Sequence, residues 1–257
     1  AEVKRVAAAV VGTGLALLGA AGCGPAPSAT GAGPDEVITV FAAASLTEAF
    51  TALGAELERT RPGTRVRFSF GPSSGLAEQI AQGAPADVFA SAGPAPMRRL
   101  VGSGDVSDPT AFATNQLQIA VPPGNPGRIT RVADLARPGL KVGLCQPQVP
   151  CGQAAAEVLA KADARVVPAT EEVDVKAVLA KVRLAEVDAG IVYRTDLRSA
   201  DGAVQGVPIP AADNASTTYS LAPVTGASHE VAARAFVRLV RSAPGRARFA
   251  SAGFGPP

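Results

Sequence analysis

The chain alternates between short apolar runs and segments whose apolar residues recur at helical spacing. Residues 37–41 are β-branched or aromatic and lose polar alternation after Thr39, which is typical of a strand buried on both faces of a parallel sheet. Small residues follow at 42–44, where a backbone can approach a ligand closely. The next apolar residues lie on one helix face: Leu46, Phe50, Leu53 and Leu57. This pattern predicts a strand, a turn and a helix.

The same pattern recurs along the rest of the chain. Further strands are predicted at 64–70, 86–90, 117–121, 141–144, 187–193, 207–210 and 218–224. Further helices or helical turns are predicted at 76–82, 96–101, 132–135, 154–162, 171–182, 231–240 and 244–253. Strands that alternate with helices in this way indicate an α/β fold with parallel sheets.

Serine residues stand at two of the predicted strand-to-helix turns. Ser45 and Glu48 have the spacing of a capping box, and Ser73 lies in the turn 71–75 before the second helix. A helix N-terminus has free N–H groups and a partial positive charge, so it attracts anions. Taken alone, Ser45 is better explained as a helix cap. Because the arrangement recurs, we expect the two helix N-termini to face one anion pocket.

Composition limits the class of protein. The 257 residues suffice for one large domain or two of roughly 100 residues each. A hydrophobic content of 47% provides a core, and the net charge of +2 is spread along the chain without a basic run. We therefore expect no nucleic-acid partner. The absence of Trp also removes the usual stacking platform for sugars or single strands.

The N-terminal segment has the features of an export signal. Lys4 and Arg5 precede an apolar run at 6–22 of about 17 residues, shorter than the roughly 20 of a spanning helix. The run ends in Ala-Ala-Gly-Cys, which resembles a bacterial lipobox with Ala20 where Leu is usual. We predict a lipoprotein signal peptide at 1–23, lipidation of Cys23 and anchoring to the outer face of the cell membrane. Plain secretion and a retained anchor are the alternatives.

The Pro-, Gly- and Ser-rich residues 24–35 predict a flexible tether.

Two further cysteines, Cys145 and Cys151, lie six positions apart between a predicted strand and a predicted helix. An even pair this close in an exported protein favours a disulfide. A zinc site is the weaker alternative, because His229 is the one histidine of the sequence and zinc usually takes four ligands.

Asp87, at the start of a predicted strand, is a candidate for catalysis or for accepting N–H groups from a nearby turn, and the structural role is favoured. A serine nucleophile needs a base, and His229 lies far from both serine turns in sequence. The GPSSG turn also lacks the spacing of a nucleophile elbow. We therefore expect a binding protein, not an enzyme.

Five segments, taken in order, resemble a known family: VFAAASLTEAF, SFGPSSGLAEQI, GAPADVFASA, DVKAVLAKV and GIVYRTD. They look like the periplasmic molybdate-binding proteins of ATP-driven molybdate importers, over nearly all of residues 37–253. The resemblance implies a type II periplasmic binding protein fold with two mostly parallel sheets flanked by helices and two crossing strands as a hinge. It implies domain I at 36–117 plus 215–257, domain II at 118–214, and the ligand in the cleft between them.

The resemblance also implies a ligand-binding set, which falls on Ser45, Ser73, Cys151, Val175 and Tyr193. Cys151 stands where the family often has Ala, and the family uses this position mainly through its backbone N–H. The position of Val175 is also used through its backbone N–H. Val173 is an alternative to Val175, because its setting is similar. Molybdenum then enters only as the bound oxyanion, and no cofactor is implied. The ligands expected are molybdate and tungstate, the partner is an ABC transporter permease, and the protein is expected to be a monomer.

Elementary chemistry agrees with this set. Molybdate is a tetrahedral dianion, and hydroxyl and backbone N–H groups at helix N-termini can satisfy its four oxygens without a lysine or arginine. Sulfate and phosphate remain alternatives. Sulfate differs mainly in size, whereas a phosphate site usually needs a carboxylate to accept the ligand's proton, and Asp87 is the candidate near the serine turns.

Overall fold

A computed structural model describes residues 36–257. The predicted signal peptide at 1–23, the lipidation of Cys23 and the tether at 24–35 lie outside the described residues. None of the helices described between residues 36 and 257 combines the length and the hydropathy that a membrane span requires.

The described chain contains nine strands, eight α-helices and two short 3-10 helices. The strands are β1 Glu36–Ala43, β2 Thr64–Gly71, β3 Val88–Ala92, β4 Thr110–Val121, β5 Val142–Cys145, β6 Thr170–Glu172, β7 Ala189–Tyr193, β8 Gln205–Pro208 and β9 Ser216–Pro223. The α-helices are α1 Thr47–Thr60, α2 Ser73–Ala81, α3 Pro94–Ser103, α4 Pro150–Lys161, α5 Val175–Arg183, α6 Arg194–Ser199, α7 Glu230–Arg241 and α8 Ala243–Ala252. The 3-10 helices are Ala44–Leu46 and Val132–Ala136.

The strands follow the order β2-β1-β3-β9-β4-β7-β5-β6, with β8 paired to β4. Both flanks are parallel: β1 pairs with β2 and β3, and β5 pairs with β6 and β7. The centre is antiparallel, because the chain leaves one flank along β4 and returns along β9. The α/β class is as predicted, but the parallel pairing is confined to the flanks.

Three local predictions were inaccurate. The first half of β4 was missed because Thr110, Thr114 and Asn115 weaken its apolar pattern. The helix predicted from 171 is interrupted: β6 precedes Asp174, whose Oδ1 accepts the Ala177 N–H at 3.0 Å and caps α5. Helix α6 was not predicted at all.

The capping box predicted at Ser45 and Glu48 is wrong. Ser45 lies inside the 3-10 turn Ala44–Leu46, α1 begins two residues later, and no side chain caps it. The Thr47 hydroxyl donates instead to the Ala44 carbonyl at 2.7 Å. The Ser45 hydroxyl is thereby left for a different partner.

Apolar side chains form two main cores on either side of β4 and β9. The first core centres on Phe50, whose ring lies 5.4–6.3 Å from those of Phe68, Phe112, Phe236 and Phe249. The second core is built from residues between 117 and 215. β4 carries Phe112 into the first core and Leu117 into the second, so β4 is shared by both. The exact division into two domains stays a prediction.

Candidate anion-binding site

The five residues predicted to bind the ligand line one small cavity. Each is less than 7% exposed: Ser45, Ser73, Cys151, Val175 and Tyr193. The cavity has a volume of ≈ 20 Å³; one buried water needs roughly 10–15 Å³. Its walls therefore enclose a species of only a few atoms. Val173, the alternative to Val175, is 50% exposed and does not line the cavity.

Strand ends and helix starts place these residues. Ser45 follows β1 and Ser73 follows β2, and both strands belong to the parallel flank of the first core. Tyr193 ends β7 in the second core. Cys151 lies in the first turn of α4 and Val175 in the first turn of α5, next to Tyr193. In α/β folds, ligands bind at the carboxyl ends of strands, and the cavity occupies such a position.

Three helices begin at the cavity wall. Ser73 is the first residue of α2, Val175 is the first residue of α5, and Cys151 is the second residue of α4. The first four N–H groups of an α-helix have no partner inside the helix, and the helix dipole adds partial positive charge there. Three such N-termini around one cavity favour an anion over a neutral or cationic ligand.

Both serines already accept or share one hydrogen bond within the protein. The Ser73 Oγ accepts the Ala92 N–H at 3.0 Å, so its own proton remains to be donated. The Ser45 Oγ lies 2.8 Å from the hydroxyl of Tyr219, a fully buried residue of β9. Each hydroxyl is thereby held in place at the cavity.

Tyr193 supplies a hydroxyl that has no hydrogen-bond partner within the described chain, although it is buried. The hydroxyls of Thr217 and Tyr219 lie nearby but do not meet hydrogen-bond geometry with it. Burial raises the pKa of Tyr193 far above its ordinary value, so the group stays neutral and able to donate. A buried unpaired hydroxyl costs about 1–3 kcal/mol, which a ligand acceptor would recover.

No lysine or arginine lines the cavity within residues 36–257; the charged residue in its wall is Asp174. The Asp174 Oδ1 is occupied by its own helix cap. Lys176, although next to Val175, directs its Nζ to Glu48 Oε1 at 2.7 Å, Asp196 Oδ1 at 3.2 Å and Ser199 Oγ at 3.0 Å. These contacts join α1 to α5 and α6 beside the cavity.

Asp196 is a buried carboxyl group that sequence reasoning missed. Its Oδ2 accepts the N–H of Tyr193 at 3.1 Å, and the ion pair of its Oδ1 with Lys176 lacks hydrogen-bond geometry. Burial raises the pKa of Asp196 to about 6, although Lys176 opposes the rise. The three-residue spacing from Tyr193 to a carboxylate was the available sequence signal.

The Asp196 carboxyl group should make stability depend on pH. Because its folded pKa is raised, it stabilises the fold while protonated, and that contribution is lost as pH rises through about 6. The loss amounts to at most about 3 kcal/mol. As pH rises from about 4.5 to 7.5, we expect the free energy of unfolding of Asp196→Asn to increase relative to that of wild type, by up to this amount. Urea unfolding across that range measures it, with Glu171→Gln as an exposed control. A difference that does not vary with pH would refute the assignment.

The predicted disulfide between Cys145 and Cys151 is present, with sulfurs 2.08 Å apart and Cα atoms 5.8 Å apart. It ties the end of β5 to the first turn of α4, whose second residue lines the cavity. The next residue must be glycine, since a Cβ on Gly152 would lie 1.9 Å from the Gln146 carbonyl oxygen. The disulfide and the tight loop together fix the backbone of Cys151.

Asp87 and His229 lie away from this site. Asp87 accepts the N–H of Thr39 at 2.7 Å and of His229 at 3.1 Å, as its predicted structural role requires. Both residues line a larger cavity of ≈ 340 Å³, and neither Ser45 nor Ser73 lines that cavity. The His229 Nδ1 is 3.4 Å from the Asp87 carboxylate, and His229 does not line the cavity of Ser45 and Ser73. Within residues 36–257, neither of these serines is therefore paired with a histidine for catalysis.

A fold with two cores joined by β4 and β9, and a small donor-lined cavity at the strand ends, defines a protein that binds a small solute. A family model for bacterial extracellular solute-binding proteins matches residues 38–255. The chain belongs to that family, whose members bind solutes and are not enzymes.

Known proteins resemble the chain in both sequence and fold. The molybdate-binding protein ModA of Mycobacterium tuberculosis is 41% identical over 248 residues, covering 95% of each chain. The structure of the Azotobacter vinelandii periplasmic molybdate-binding protein has a TM-score of 0.72 at 21% identity, covering 86% of this chain and 99% of the other. The sulfate-binding protein SubI of Mycobacterium tuberculosis has a TM-score of 0.75 at 22% identity, covering 86% and 87%. At these identities the two structures establish the type II periplasmic binding protein fold alone.

Proposed function

We propose that this protein captures molybdate, and also tungstate, in the cavity between its two cores and delivers the ion to an ABC-type importer. One observation carries the proposal: five buried residues from both cores converge on one cavity that offers hydroxyls and helix N-termini. A tetrahedral dianion can accept from all of these donors. The 41% identity to a molybdate-binding protein supports the choice of ion.

Capture would proceed by closure of two domains, 36–117 plus 215–257 and 118–214, about β4 and β9. Ser45 and Ser73 would hold the ion from the first domain. The backbone N–H groups of Cys151 and Val175, with the Tyr193 hydroxyl, would hold it from the second. Closure expels water and strengthens each of these bonds. The pair of Lys176 with Glu48 would add one exposed contact to the closed form, worth at most about 1 kcal/mol.

The closed form is the one that a membrane permease would recognise. Lipidation of Cys23 would hold the protein at the outer face of the cell membrane, and residues 24–35 would give it reach. The ion is a transported ligand, not a cofactor, and the working unit is a monomer.

Sulfate or phosphate is the alternative ligand. The fold shared with a sulfate-binding protein makes sulfate the nearer rival. Phosphate would need a proton acceptor; Asp87 lies in another cavity, and Asp174, the carboxylate in the cavity wall, has its Oδ1 engaged by the cap of α5. The distribution of donors and acceptors therefore favours a fully deprotonated ion.

Calorimetric titration at neutral pH tests the proposal. We expect molybdate and tungstate to bind with a stoichiometry of one, and sulfate and phosphate to compete poorly even in large excess. Tighter binding of sulfate or phosphate than of molybdate would replace the proposed ligand. Failure of every oxyanion to bind would refute an anion site.

A further inference from the structure

A chain of buried polar groups runs behind Ser45. The Tyr219 hydroxyl, 2.8 Å from Ser45 Oγ, lies 3.5 Å from the side-chain nitrogen of Asn115. That nitrogen also donates to the Thr195 hydroxyl at 2.9 Å. Tyr219 and Asn115 are at most 1% exposed, and neither lines the ligand cavity. They lie on β9 and β4, the strands that connect the two cores.

The backbone fixes the orientation of the Asn115 amide. The Asn115 Oδ1 accepts the N–H of Gln116 at 3.0 Å, so a flipped amide would set two donors against each other. The Asn115 NH₂ group therefore faces Tyr219, and the Tyr219 oxygen is an acceptor toward it. The single proton of Tyr219 is then available for Ser45. In this arrangement Ser45 accepts a hydrogen bond from the Tyr219 hydroxyl and keeps its own proton for the cavity.

Two further observations bear on this direction. Burial raises the pKa of Tyr219 well above its ordinary value, so the hydroxyl keeps its proton over the range in which proteins are usually handled. Ser73 also accepts a hydrogen bond from within the protein, but from the N–H of Ala92, which can only donate. Both serines of the site are thus turned into donors toward the ligand.

We propose that Tyr219 and Asn115 are positioning residues that make Ser45 a donor only, so that the site selects oxyanions carrying no proton. The proposal deepens the proposed function and rests on it. Molybdate, tungstate and sulfate present only acceptors at neutral pH. Hydrogen phosphate presents an O–H group, which needs an acceptor that Ser45 and Ser73 do not offer.

Tyr219→Phe removes the hydroxyl and keeps the ring. The dissociation constants of molybdate and inorganic phosphate are measured at about pH 8, where phosphate is mainly a dianion with one proton. We expect molybdate to bind roughly 3- to 10-fold more weakly and phosphate to lose nothing, so the preference for molybdate narrows. Thr64→Val, which removes a buried hydroxyl at the start of β2, should change neither constant.

A double-mutant cycle separates positioning from general damage. If Tyr219 acts through Ser45, Tyr219→Phe should cost no further molybdate affinity once Ser45→Ala is present. Asn115→Asp provides a second test. The carboxylate would accept a hydrogen bond from the Tyr219 hydroxyl, so Ser45 would donate to Tyr219 instead of accepting from it. Both ions are dianions at this pH, so repulsion from the new charge cancels in the ratio of their constants. We expect that ratio to shift toward phosphate.

An equal molybdate loss from Tyr219→Phe with and without Ser45 would overturn the inference. So would an unchanged ion ratio in both variants. Failure of both variants to fold would overturn it too, by assigning the two residues a purely structural role. In each case intact molybdate binding by the wild type leaves the proposed function standing. A wild type that binds no oxyanion would overturn both.

Discussion

Replacing Ser45 and Ser73 together by alanine is expected to weaken molybdate binding at least roughly 100-fold. Each serine would donate one hydrogen bond to a charged ligand, worth about 1.5–3 kcal/mol, and the two lie on different turns. Ser74→Ala is the matched control, because Ser74 neighbours Ser73 but does not line the cavity. Calorimetric titration of the double variant, the Ser74→Ala control and the wild type measures the effect. Retention of wild-type affinity by the double variant would remove both serines from the site.

The same substitutions should also lower the free energy of unfolding, so stability is measured separately from binding. Ser73→Ala leaves the buried Ala92 N–H without its acceptor, at a cost of about 1–3 kcal/mol. Ser45→Ala removes a partner of Tyr219; it does not remove a helix cap. Binding is therefore compared at a temperature where every variant is fully folded.

Molybdate at about 1,000 times its dissociation constant is expected to stabilise the folded protein by about 4 kcal/mol. For a chain of this size, that free energy raises the unfolding midpoint by roughly 8–16 °C. The same concentration of sulfate should shift the midpoint by no more than about 2 °C, because sulfate is the smaller ion and cannot reach all of the donors at once. The donors that line the cavity are fixed on strand ends and helix N-termini, so they match one ion size best. Equal shifts from sulfate and molybdate would contradict selection by size.

The local sequence pattern predicted the two junctions of strand and helix that carry Ser45 and Ser73. The structure brings both serines to one cavity, as expected from parallel strands that end at the same edge. Tyr193 was predicted as a ligand only from the family resemblance, and the helix that follows it was not predicted. The role of all three as ligands stays a prediction. The disulfide was predictable because only six positions separate its cysteines.

Long-range contacts were not predictable from the pattern. The partner of Ser45 is Tyr219, 174 positions away, and a capping box with Glu48 was the local alternative that the fold did not adopt. Lys176 meets Glu48 across 128 positions. Asp196 looks like any polar residue after a strand, and its raised pKa arises from burial by elements distant in sequence. Such effects depend on tertiary packing, which overrides local preference.

The position of the bound ion is the central claim, and molybdenum makes it directly observable. Crystals grown with molybdate, with diffraction data recorded on both sides of the molybdenum absorption edge, would locate the metal without reference to the protein atoms. We expect one anomalous peak, enclosed by Ser45, Ser73, Cys151, Val175 and Tyr193. A peak in the cavity beside Asp87 and His229, or no ordered peak in a protein shown to bind molybdate, would contradict the account.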